Sequence, residues 1–395
     1  MSSGANGLAG RGEGLAPVQV VILGGGFGGL AAAHRLRARL GERAAITLVD
    51  RRDWFMMGLR ILWTVAGRAT RAGGTRSLAA VRGHGIRYVQ DQVQGIDTAR
   101  KTVATSGGTL AYDALVVALG AELRPDLVPG YRAEGSNLYD PEQAEAIAAR
   151  VASVTSGRVG IGILGVPYKC PPAPYEAAFL IDDLLRARGV RDRVALEVFT
   201  PQPSSLPVAG PAACAAVEGR LAERGIAFLP GRKVVAVEGG EVVFERDRRA
   251  YDLLIGVPPH RAPASVKASG LTTGEWVRLA DLATCETAAP GVFAVGDVTE
   301  VPLANGMMLP KAGVFAEAQG LAAADAIADR LAGVGAGARF DGVGHCFAEV
   351  GGEMATAVRG RFLETPEPVI DIAEPSARTL EEKRAFEASR LEAWF

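Results

Sequence analysis

Apolar and polar positions along this chain follow two periods. Short β-branched runs, "VQVVIL" (Val18 to Leu23), "AAITLVD" (to Asp50), "RVGIGILG" and "RVALEVF", read as strands, and alanine- and leucine-rich stretches between them read as helices. Strand, helix, strand in that order predicts parallel βαβ units. The order then recurs. "GIRYVQDQVQGIDTARKTVATSGGTLAYDALVVALG" (Gly85 to Gly120) and "GIAFLPGRKVVAVEGGEVVFERDRRAYDLLIGVPP" (Gly225 to Pro259) both begin Gly-Ile-x-aromatic. Both pass through turn-punctuated valine-rich strands and end Tyr-Asp-x-Leu before an apolar run. A small antiparallel meander is therefore expected in each copy.

The turn after the first strand carries Gly24, Gly26 and Gly29 in the spacing G-x-G-x-x-G, and Asp50 closes the next strand. Such glycines allow a tight turn, backbone approach to a pyrophosphate and close helix packing, and the acid reaches an adenosine ribose. Gly120, ending the first meander copy, is a further cofactor-contact candidate. The second copy differs at the same place. Its turn reads Gly165-Val166-Pro167-Tyr168-Lys169-Cys170-Pro171-Pro172, and its second strand ends "FTPQP" without an acid. Proline has no N–H to offer a phosphate, so this copy is not expected to bind NAD(P)H in the usual way.

The fold class expected is α/β: two tandem Rossmann-like domains with antiparallel meanders, plus a short C-terminal region. The expected division is a flexible leader (1–16), a cofactor domain (17–125 and 264–332), a second domain (126–263) and a C-terminal region (333–395). With 395 residues, 48% hydrophobic content and a formal charge of −1, the chain reads as soluble and globular, without a nucleic-acid-binding surface. No apolar stretch suffices for a membrane helix, and the glycine-rich start lacks a secretory core, so a cytoplasmic location is expected. The four cysteines form no disulfide scaffold and none approaches C-x-x-C spacing, so no metal site is expected.

Cys170 lies beside Lys169 and shortly before a helix expected to start near Pro174. Both features favour a negative sulfur. Glu176, in the first turn of that helix, fits either a proton acceptor or a carboxylate on the helix dipole. "VFAVGDV" can set Asp297 against a flavin's ribityl hydroxyls or simply in a turn. Lys311, before another alanine-rich helix, is either a cofactor contact or a surface lysine. Cys214 and Cys285 read as buried small hydrophobes. His260 is a candidate to line the site or to serve structure, and His345 a candidate to tune a thiolate. The last twenty residues read as one helix capped by Ser376, with Leu380, Leu391, Trp394 and Phe395 on a partial apolar face.

Taken together, the glycine loop, "VFAVGDV", "PKAGVFAEAQG", "CPPAPYE" and the late "CF" resemble the FAD-dependent pyridine nucleotide-disulfide oxidoreductase superfamily. Within it they are similar to the branch of sulfide:quinone oxidoreductase and the flavocytochrome c sulfide dehydrogenase flavoprotein. The resemblance implies FAD on the first domain and a redox-active disulfide between Cys170 and Cys346, with Glu176 as acid/base. It implies further that sulfide or a small persulfide opens the disulfide, and that a quinone or other small acceptor takes the electrons. Branch members often tether FAD through an earlier cysteine. This chain has none before Cys170, so FAD is expected to be noncovalent. A third sulfur-carrying cysteine is also missing from its usual place. Two other readings stay open: an NAD(P)H-dependent reductase of quinones or electron carriers, and a non-catalytic flavin-carrying subunit. The tail suits docking on its own protein or a dimer mate and leaves room for weak peripheral membrane contact.

Overall fold

The computed structural model describes residues 16–332 and 337–395. Nearly all of the expected leader lies outside them. Two mainly parallel sheets form the body, and each is built around the strand that precedes one of the contrasting turns. In the larger sheet Val18–Leu23 runs between Ala44–Asp50 and Ala114–Val117, both parallel to it, with Arg87–Gln90 beyond the first and Val292–Ala294 beyond the second. Val20, Ile22, Leu48 and Val116 are fully buried or nearly so, because helices cover the sheet. One of these, Phe27–Leu40, leads straight out of the glycine turn. It packs on the alanine-rich helix Gly313–Ala332, and Arg35 and Arg39 reach Asp325 at 2.7 and 2.8 Å.

The smaller sheet repeats this plan. Gly157–Ile163 lies between Leu253–Val257 and Val194–Phe199, with Ala227–Leu229 and Ser136–Asn137 at its edges. Its turn leads into the helix Ala173–Ala187, one residue earlier than expected. The two meanders are present as antiparallel three-stranded sheets, Val93–Asp97 to Gly108–Ala111 and Val234–Glu238 to Arg248–Ala250. In each copy the strand that opens the repeat joins the parallel sheet instead of the meander.

The C-terminal region holds more than the expected helix. Val343–Gly351, Met354–Arg361 and Val369–Ile372 form an antiparallel sheet that places Cys346 opposite Val358. The helix Ala377–Trp394 follows, and Ser376 caps it by accepting the Thr379 N–H at 3.1 Å. No described helix is long and apolar enough to cross a membrane.

Candidate functional site

At the first turn the glycines work through space and backbone. Gly24 has a φ of +102°, and a Cβ there would come within 2.3 Å of the Ala118 carbonyl oxygen. A Cβ on Gly29 would lie 1.8 Å from the Gly24 oxygen, so only glycine lets helix and strand approach this closely. Gly26 is the opposite case, since a Cβ there meets nothing within 4 Å. Its backbone borders open space at the N-terminus of a helix that carries no acid in its first turn. Asp50 sits beside this cradle, accepting the Gly25 N–H at 2.7 Å and the Arg52 N–H at 2.9 Å. Gly120 lies in the loop whose Ala118 and Leu119 backbone abuts Gly24.

At the second turn, side chains occupy the corresponding place. A Cβ on Gly165 would press against the Pro259 ring, and the backbone turns through Cys170 in a left-handed conformation, φ +49°. That conformation is unfavourable for a non-glycine residue, and the surroundings hold it. The Cys170 N–H donates to the Lys311 carbonyl at 2.7 Å, and the Cys170 carbonyl accepts the Tyr139 hydroxyl at 2.9 Å. The sulfur then faces Cys346, within side-chain hydrogen-bonding reach, and both cysteines are free thiols in this structure. The neighbouring sulfur, together with burial, holds the Cys170 thiol well above the usual thiol range, and the same neighbour lowers Cys346. Of the two thiols, Cys346 is the more acidic. The Lys169 ammonium, adjacent to Cys170 in sequence, lies over the Tyr139 ring, 5.8 Å from its centre, and is itself weakened by burial.

Glu176, one turn into the helix, is buried and bonded to Lys383 of the C-terminal helix. Lys383 also donates to Glu349 at 3.0 Å, and Glu349 accepts from the Trp63 indole and, at 3.0 Å, from Arg68. Burial raises the Glu176 carboxyl to about 7; Lys383 pulls it down and Glu349 pushes it up. Its charge acts on both cysteines. Lys383, Glu349, Trp63 and Arg68 were not foreseen from sequence. The available signal was helical spacing, since Leu380, Lys383, Glu387, Leu391 and Trp394 form the buried stripe of the terminal helix.

Asp297 and Lys311 come together near the cysteines. The Lys311 ammonium is buried, 3.6 Å from the Trp276 ring centre, and donates to the Asp297 and Thr299 carbonyls at 2.6 and 3.0 Å. Burial brings it down to about 8, and the surface-lysine alternative is thereby removed. His260 is buried and bonded through Nδ1 to the Pro258 carbonyl at 2.9 Å, and burial lowers it to about 3, so it is neutral. Cys214 and Cys285 are buried, as expected.

The sequence pattern of the family described as pyridine nucleotide-disulphide oxidoreductase matches residues 18–320. The chain belongs to that family. Among relatives, the mitochondrial sulfide:quinone oxidoreductase of Dictyostelium discoideum is 29% identical over 303 residues, and that of Mus musculus 26% over 304. Each alignment covers 72% of this chain and 66% of the relative, just under two thirds of those proteins' length. The crystal structure of the sulfide:quinone oxidoreductase from Aquifex aeolicus shares the fold, with a TM-score of 0.86, 24% identity, and coverage of 95% of this chain and 91% of that one.

FAD is the cofactor of this family member, and the residues fit it. Open space at Gly26 suits a pyrophosphate. Beside Asp297 and Lys311, Gln319 accepts the Gly296 N–H at 2.7 Å and keeps a buried amide N–H without a partner among the described residues. Such an orphaned donor is what a polar ring edge or hydroxyl would satisfy.

Proposed function

We propose that this chain oxidises sulfide, or a small persulfide, at Cys170 and Cys346 and passes the electron pair by way of FAD to a quinone-like acceptor. One observation carries the reading. Two cysteines far apart in sequence face each other beside a buried carboxylate poised near neutrality, at the turn where a second nucleotide would otherwise bind.

In the oxidised protein the two cysteines form a disulfide. Entering sulfide gives its proton to Glu176 and its sulfur attacks one cysteine sulfur, leaving a persulfide there and a thiolate on the other cysteine. Cys346 is the better thiolate of the pair, so it serves as the leaving group and Cys170 receives the sulfur. FAD, when bound, supplies the two-electron chemistry that links this thiolate to the outside acceptor. Its attachment is noncovalent, because Cys170 is the first cysteine of the chain.

Anaerobic titration of the purified yellow protein with sulfide tests the reading. Sulfide is expected to bleach the flavin band, and Cys170→Ser to slow bleaching by about a thousandfold or more, because the disulfide that sulfide attacks can no longer form. Unchanged bleaching in the variant overturns the disulfide route.

A further inference from the structure

The Glu176 side chain is 3% exposed, so a proton it accepts needs a way out. A chain of hydrogen bonds leads from it to the surface. Lys383 bridges Glu176 and Glu349, 3.0 Å from the latter. Glu349 is 2% exposed and accepts Arg68 on its other oxygen at 3.0 Å. Arg68, 30% exposed, also reaches Asp183 at 3.1 Å. Asp183 lies on the helix of Glu176, seven residues on. The same helix face therefore carries the buried start and the open end, roughly 10 Å apart along the axis. Asp183 is held there by Arg224 and by the Gly352 N–H at 3.0 Å.

Packing alone does not ask for this arrangement. Three of the charges are almost wholly buried, and they come from three elements: the helix Ala173–Ala187, the strand Val343–Gly351 and the helix Ala377–Trp394. Buried ion pairs contribute little to stability compared with apolar groups of the same volume. Two carboxylates on one ammonium are suited instead to sharing a proton, because each disfavours the other's charge. Burial and, against Lys383, the charge of Glu349 hold Glu176 at about 7, where it gives up a proton as readily as it takes one. Burial opposes the Lys383 ammonium, and the two carboxylates more than restore it. The next acid along the terminal helix face, Glu387, is bonded to Arg60.

We infer that Glu349 is a proton relay, taking the proton of Glu176 through Lys383 and releasing it to solvent past Arg68. The step moves no electrons. Lys383 gives one N–H proton to Glu349 as it takes the O–H proton of Glu176. The neutral carboxyl thus passes from Glu176 to Glu349, and Lys383 stays an ammonium. An arginine does not give up its proton in proteins, so Arg68 cannot carry it onward. Arg68 acts as a gate: neutral Glu349 no longer holds the guanidinium, Asp183 still does, and water takes the proton from Glu349 as hydronium. Glu349 acts through Lys383 and Glu176, as a positioning residue. The inference rests on the proposed role of Glu176 as proton acceptor and adds where that proton goes.

The test follows the Glu176 carboxyl directly, without sulfide. In holoprotein reduced with dithiothreitol and desalted, its neutral C=O infrared band is assigned by its loss in Glu176→Gln. A laser pulse that frees protons from 2-nitrobenzaldehyde at pH 8 makes the band grow, as protons travel inward by the same route. Glu349→Gln is expected to slow that growth at least tenfold, and Glu349→Asp to restore it to within about threefold. Arg68→Met opens the gate and should speed growth at least threefold, which loss of a structural ion pair would not do. Wild-type growth in Glu349→Gln overturns the inference; so does unchanged growth in Arg68→Met, whether or not Glu349→Gln folds. In a second arm, anaerobic turnover of sulfide with a short-chain quinone, Glu349→Gln should slow repeated turnover at least tenfold more than the first flavin bleaching. Only repeated turnover needs Glu176 to lose its proton, and equal slowing of both also overturns the relay. If sulfide fails to bleach the wild-type flavin while the infrared result stands, the sulfide reading fails and the proton route remains.

Discussion

The two strand–turn–helix units of this chain share a scaffold and divide the chemistry. After Val18–Leu23 the turn is stripped of side chains, the helix that follows has no acid in its first turn, and the open space at Gly26 lies beside bare backbone. After Gly157–Ile163 the turn is filled by prolines, tyrosine, lysine and cysteine, and the next helix places Glu176 in its first turn. The first unit offers N–H groups and helix potential to an anion. The second cannot, because its prolines lack N–H groups and its first-turn carboxylate opposes the same potential. It offers a sulfur, fixed by backbone bonds to Lys311 and Tyr139, with a proton acceptor behind it. Under the proposed function, replacing backbone with side chains at one turn converts a binding unit into a reactive one.

That contrast can be broken at either turn. The larger effect is expected at the second. Glu176→Gln keeps the size and removes the titration, so sulfide bleaching should slow by about a hundredfold, as for loss of a general base. A rate within a few-fold of wild type would reduce Glu176 to a helix-dipole residue. At the first turn Gly26→Ala is the sharper choice. The backbone there has a negative φ, and nothing lies within 4 Å of the added carbon, so the fold should lose about 1 kcal/mol or less. The carbon enters the cofactor's space, and FAD affinity, read by fluorescence on dilution, should fall about tenfold. Normal affinity would move the pyrophosphate away from Gly26.

The doubled fold was legible because strand and helix periods, turns and the Tyr-Asp-x-Leu endings recur in order. Cys170 and Glu176 were legible because the altered turn stands against an unaltered one. Other features were written only in tertiary structure. "EEKRAFEAS" looks like a solvated helix, and beyond their spacing with Leu380, Leu391 and Trp394 nothing local says that Lys383 and Glu387 point inward to Glu176 and Arg60. The balance of acidity within the thiol pair is tertiary for the same reason. Lys169 is adjacent to Cys170 in sequence, but its ammonium lies over an aromatic ring, and the decisive neighbour is Cys346 on a distant strand.

Lys383 supplies the finest test of how far the second turn depends on charges imported from elsewhere. Burial raises the Glu176 carboxyl, and Lys383 opposes that rise through its charge and hydrogen bond, leaving the group at about 7. Below that pH Glu176 is neutral and accepts no proton, so the bleaching rate should climb as pH rises through 7. In Lys383→Met the opposing cation is gone, and the Cys346 thiolate loses the same support. Both groups then move upward, and the midpoint of the climb should rise by about one unit or more. Lys383→Arg restores the charge and should return the midpoint most of the way, which a purely packing role for this residue would not require. Stability should follow the same sign. With its folded-state pKa raised further above the unfolded value, Glu176 of the methionine variant is neutral and tolerated at pH 6, and its contribution is lost as pH rises through that pKa. The variant's thermal midpoint, relative to wild type, should therefore fall between pH 6 and pH 9. A bleaching midpoint that stays at 7 in Lys383→Met would show that the terminal helix does not set the protonation of Glu176.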